Sequence, residues 1–124
     1  MSKNISCEAS AKLQQLKSLP PNWDSYGSCP IQPEVIEMAS SLLTGLAKLD
    51  MPEPHIVPVP GGGIQFEWEN SERGLEIEIL PDKSIEYLLL EKEGMDEGRI
   101  DQDDKLAEIV RCVDWVMTCE GKSK

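Results

Sequence analysis

Glu67, Glu69, Glu76, Glu78 and Glu86 stand at alternate positions of three short runs: Gly63-Ile64-Gln65-Phe66-Glu67-Trp68-Glu69, Leu75-Glu76-Ile77-Glu78-Ile79 and Ile85-Glu86-Tyr87. Side chains of a strand point alternately to opposite faces, so this spacing gathers the five carboxylates on one surface and Ile64, Phe66, Trp68, Leu75, Ile77, Ile79, Ile85 and Tyr87 on the other. Grouped carboxylates can do three kinds of chemistry. Binding a divalent cation ranks low, because glutamates on strands lack the looped, carbonyl-assisted geometry that calcium prefers. Acid–base catalysis needs one desolvated carboxyl and a cleft around the pair, and an open sheet face supplies neither. The third is electrostatic docking of a basic partner. Like charges directly opposite one another cost a few tenths to about 1 kcal/mol per pair. A covering partner or a simply solvated face would both account for a chain that tolerates this cost. No catalytic, cofactor-binding or metal-binding residue is assigned.

The segment 22–27, Asn22-Trp23-Asp24-Ser25-Tyr26-Gly27, is the second candidate. Trp23, Asp24 and Tyr26 together could form an aromatic platform beside a hydrogen-bond acceptor, suited to a small ligand or a minor enzymatic role. A structural role is the stronger reading. Trp23 would plug a gap between helix and sheet, Asp24 would accept backbone N–H groups, and Gly27 would take a positive φ. His55 is the single histidine and has no Ser or Cys close in sequence, so nucleophile–histidine chemistry is not indicated. Gly61-Gly62-Gly63 joins two strands and is followed by neither a helix nor a lysine, so it is a turn rather than a phosphate loop. Trp115 sits beside Asp114, off the apolar stripe of its helix, and is a minor candidate for an interface anchor.

These residues must be positioned by a simple order of elements. Ile5, Ala9, Leu13 and Leu16 predict a first helix over 5–18, stopped by Leu19-Pro20-Pro21. A second opens at Pro33, a residue suited to a first helical position, and runs to Lys48. The stretch 55–60 reads as an extended sheet edge, since Pro58 donates no ladder hydrogen bond. Three strands follow, with turns at 61–63, 70–74 and at Pro81-Asp82-Lys83-Ser84. Alternation fails at Leu88-Leu89-Leu90, where both faces of the strand would be covered. Residues 91–104 read as an acidic surface loop, 102–118 as a last helix with Asp101, Asp103 and Asp104 at its start, and 120–124 as a frayed tail. The expected fold is a single α+β domain over 1–124. It has two layers, a three- to four-stranded antiparallel meander packed on two N-terminal helices and one C-terminal helix.

Composition limits the partners. A formal charge of −11 on 124 residues argues against nucleic acid, which needs clustered Lys and Arg, and against anionic membrane surfaces. No run approaches the roughly 20 apolar residues of a membrane span. Met1-Ser2-Lys3-Asn4 leads into no secretory apolar region, so the expected location is the cytoplasm. Cys7, Cys29, Cys112 and Cys119 form no C-x-x-C pair and read as free thiols.

The segments Leu19-Pro20-Pro21-Asn22-Trp23-Asp24-Ser25-Tyr26-Gly27 through Pro30 and Pro33, Pro58-Val59-Pro60-Gly61-Gly62-Gly63-Ile64-Gln65-Phe66-Glu67-Trp68 and Leu75-Glu76-Ile77-Glu78 resemble a group of small uncharacterised bacterial proteins. That group shares an Asn-Trp-Asp-Gly-Tyr-Gly-type loop, a Gly-Gly-Ile-x-x-Glu-Trp strand and a Leu-Glu-Ile-Glu strand. The chain departs from the pattern at Ser25 and at Lys83, where the group has glycine. The resemblance covers residues 19–87 and implies a bacterial or phage origin and a shared architecture, with no activity to carry over. The leading functional expectation is a small acidic interaction module of the antitoxin, immunity-protein or inhibitor kind, binding a basic protein surface. A ligand-binding module centred on 22–27 is the alternative. Homo-oligomerisation through 55–60 or Leu88–Leu90 is a third reading.

Overall fold

A computed structural model describes residues 6–23, 27, 29–100 and 104–118. Three helices, α1 (Cys7–Lys17), α2 (Pro33–Lys48) and α3 (Lys105–Met117), flank five strands, β1 (His55–Val59), β2 (Gly63–Glu69), β3 (Arg73–Ile79), β4 (Ile85–Glu91) and β5 (Gly94–Arg99). The strands form one antiparallel sheet in the order β1-β2-β3-β4-β5, a meander in which every neighbour in space is a neighbour in sequence. The architecture is α+β, with five strands rather than three or four. The fifth lies within 91–104, where the sequence predicts a loop. After a two-residue turn at Lys92-Glu93, Gly94 pairs with Glu91 and the ladder continues to Glu86↔Arg99.

Local chemistry sets each helix boundary. Ser6 caps α1 by accepting the Ala9 N–H at 3.0 Å. The Glu53 carboxylate then accepts from the Ser6 N–H (3.0 Å) and hydroxyl (2.6 Å), tying the helix start to the connector before β1. Pro33 opens α2. Asp104 caps α3 through the Ala107 N–H at 3.0 Å, so this helix begins at Lys105 and not at 102; Asp101 and Asp103 lie outside the described residues, as does the tail 120–124.

All three helices cover one face of the sheet, α1 at β1 and α2 and α3 over β2 and β3. Beneath them the strand residues Ile64, Phe66, Ile77, Ile79 and Ile85 are fully inaccessible, with Ile109 and Val113 of α3 pressed against them. Phe66 and Trp68 meet edge to face at 6.1 Å, and the Trp68 indole N–H donates to the Pro52 carbonyl at 2.8 Å. At the first hairpin, a Cβ on Gly63 would fall 2.8 Å from the Ile79 carbonyl oxygen, so the close approach of β2 to β3 excludes a side chain there. No helix of the described residues is long and apolar enough to cross a membrane.

Candidate functional site

Register turns alternation into a surface. On the face away from the helices, one row runs Val57–Gln65–Glu78–Glu86–Arg99 across the five strands. The next runs His55–Glu67–Glu76–Leu88–Glu97, and a third joins Glu69, Gly74, Leu90 and Met95. The five glutamates singled out in the sequence thus share this face, and Glu97 of β5 joins them. Two like-charged pairs stand directly opposite each other, Glu67↔Glu76 and Glu78↔Glu86. Each forfeits the favourable contact that a Lys or Thr partner would give.

The carboxylates differ in their neighbours. Glu67 accepts a 2.7 Å hydrogen bond from the Gln65 amide. Glu86 lies 3.7 Å from the Arg99 guanidinium, with both side chains about half exposed, so the pair is well solvated and weak. Glu76 and Glu78 have no side-chain hydrogen bond or ion pair among the described residues. Partial burial, then the charges of Glu86 and Glu76, push the Glu78 carboxyl above the ordinary carboxylate range. Glu76, Glu78, Glu86 and Glu97 border a hollow of about 140 Å³ with Gln65 and Leu88. Among the described residues, no three His, Cys, Asp or Glu side chains are gathered closely enough to hold a metal ion.

The face is not uniformly polar. Leu88 and Leu90 of β4 point to this side and are only half buried, while Met95 of β5 is 68% exposed. Gly74, beside Leu90 in the ladder, carries no side chain, and its Cβ position is 3.5 Å from a Leu90 methyl. An apolar strip therefore runs along β4 between the carboxylates of β3 and Glu97 of β5. Leu88 and Leu90 were visible in the sequence as a break in alternation. Met95, Glu97 and Arg99 were not, because nothing in Gly94-Met95-Asp96-Glu97-Gly98-Arg99 alternates in hydropathy.

The other candidates resolve differently. Trp23 is half buried, and its indole N–H donates to the Cys29 carbonyl at 3.0 Å, closing the loop on itself. Asn22, at φ +61°, accepts from the Gly27 N–H, and Gly27 itself has φ +84°. Asp24 and Tyr26 lie outside the described residues. His55 is exposed at the sheet edge opposite Glu67. Trp115 is engaged within the protein: the Arg73 guanidinium stacks 4.1 Å from its ring centre and also donates to its carbonyl oxygen at 2.7 Å. Cys7, Cys29 and Cys112 are free thiols, Cys119 lies outside the described residues, and burial with the nearby Glu108 charge holds the Cys112 thiol above its usual range.

No protein-family model, curated protein or solved structure matches the chain.

Proposed function

We propose that this protein is a protein–protein interaction module that engages a basic surface through the open face of its sheet. The observation that carries this reading is the row register. It sets Glu67 against Glu76 and Glu78 against Glu86, with Arg99 the only Lys or Arg side chain on that face among the described residues. A basic partner would relieve the repulsion between these glutamates and supply hydrogen-bond donors to Glu76 and Glu78. The overall charge of −11 draws such a partner in from a distance. Small acidic proteins that cover a basic surface, as antitoxins, immunity proteins and inhibitors do, are the class that this arrangement suits. The cytoplasm is the compartment we assign to it.

Charge reversal tests the reading. Proteins retained from a lysate on the wild-type chain at low salt, but not on Glu67→Lys/Glu76→Lys/Glu78→Lys, should include basic ones. Their association should slow steeply with ionic strength, because screening acts within about 10 Å at 0.1 M salt. Equal retention by the wild type and the triple variant would remove the proposal.

A further inference from the structure

The sheet is covered on one side by the three helices, and strand β4 carries apolar side chains on both of its faces. Leu89 and Tyr87 pack toward the helices, while Leu88 and Leu90 face the opposite way with Met95 beside them. The backbone of β2, β3 and β4 is already hydrogen-bonded to strands on both flanks. Whatever covers this face can therefore reach it only with side chains. A helix delivers such a stripe of side chains to a sheet face, and the protein uses that solution on its other face.

The dimensions agree. A helix about 10 Å across spans roughly two strand spacings of about 4.8 Å. Laid along β4, its apolar stripe would meet Leu88, Leu90 and Met95, with the dip at Gly74 giving room beside Leu90. Long cationic side chains leaving that stripe on one flank would reach Glu76 and Glu78, and those on the other would reach Glu97. A second copy of this chain is a poor occupant, since face-to-face pairing would oppose two glutamate arrays on molecules of charge −11.

Resting on the docking role proposed above, we infer that the occupant is an amphipathic basic α-helix of another protein, seated along β4 as a third layer on the open sheet face. Its apolar residues, spaced i, i+3, i+4 and i+7, contact Leu88, Leu90 and Met95. Its Lys and Arg residues pair with Glu76, Glu78 and Glu97.

The test uses the ¹⁵N-labelled full chain and two synthetic 18-residue peptides of identical Leu and Lys content. One is ordered as a helical stripe, and the other is scrambled to have none. The striped peptide should shift the amide resonances of Leu88, Leu90, Met95 and Glu76 and leave those of α1–α3 in place. It should bind at least tenfold more tightly than the scrambled one. Leu88→Ser/Leu90→Ser should weaken it at least tenfold with the scrambled peptide unaffected. Met95→Ser, at an exposed position that cannot compromise the core, should weaken it about threefold. Equal binding of the two peptides, or shifts confined to the outer edge of β5, would overturn the helix inference and leave the electrostatic reading standing. Absence of binding by both peptides at low salt would overturn both.

Discussion

Glu78 is the residue at which the open face affects the stability of the protein itself. Its folded-state carboxyl is raised by partial burial, then by Glu86 and Glu76, so the folded chain holds this proton more tightly than the unfolded chain does. The cost is absent below the unfolded carboxylate range and grows as pH rises through the folded value. Glu78→Gln should therefore stabilise the protein at pH 7 by about 0.5 kcal/mol, the size of one relieved like-charge pair. That gain should vanish as urea melts are repeated toward pH 3. A second residue-scale prediction concerns Lys83, which has φ +74° after the turn closed by its own N–H to the Leu80 carbonyl at 2.8 Å. A side chain in the left-handed region costs on the order of 1 kcal/mol, part of it returned as glycine's greater freedom in the unfolded state. Lys83→Gly should raise stability by up to about 1 kcal/mol, and Lys83→Ala should leave it nearly unchanged in the same denaturant titration.

At the scale of elements, the β2–β3 hairpin caps the last helix. Asn70 donates to the Val116 carbonyl while its side-chain oxygen accepts the Glu72 and Arg73 N–H groups. Arg73 stacks on Trp115 and donates to its carbonyl, in a helix with no basic residue in its last turn. Arg73→Ala should cost about 2 kcal/mol by the loss of one charged hydrogen bond and the ring contact. Arg73→Lys should recover less than half of it in thermal melts, because a lysine cannot stack and donate in one pose. The sequence marked 70–74 only as a turn, since nothing local tells that a turn residue will serve a helix some 40 positions later. Strand β5 was equally hidden. Its helix-side positions are Asp96 and Gly98, and the hydrophobic cover there comes from a neighbour: a Cβ on Gly98 would lie 2.7 Å from the Tyr87 hydroxyl and 2.9 Å from its ring carbons. Gly98→Val should displace Tyr87 and speed amide hydrogen exchange in β5 about tenfold while sparing β2 and β3. By contrast α2, β2 and β3 were legible, because each buries an apolar stripe of regular period.

For the whole molecule, the two faces of one sheet divide the work. The face under the helices carries the stability, and the face with the glutamates is the one we propose as the docking surface. Alternation makes the apolar and the acidic side of β2 and β3 legible in the sequence. The glutamate array could be read in the same way, but its extension to Glu97 and that of the apolar strip to Met95 depend on β5, a strand without alternating hydropathy. The order of elements along the chain has a consequence for biosynthesis. Helix α3 follows all five strands and supplies Ile109, Val113 and Val116 to the apolar side of the sheet. On the ribosome the meander is therefore made before that cover exists, and Leu75 and Ile77 must wait for it. A nascent chain stalled after Ile100 should recruit chaperones, and one extended past Thr118 and clear of the exit tunnel should shed them.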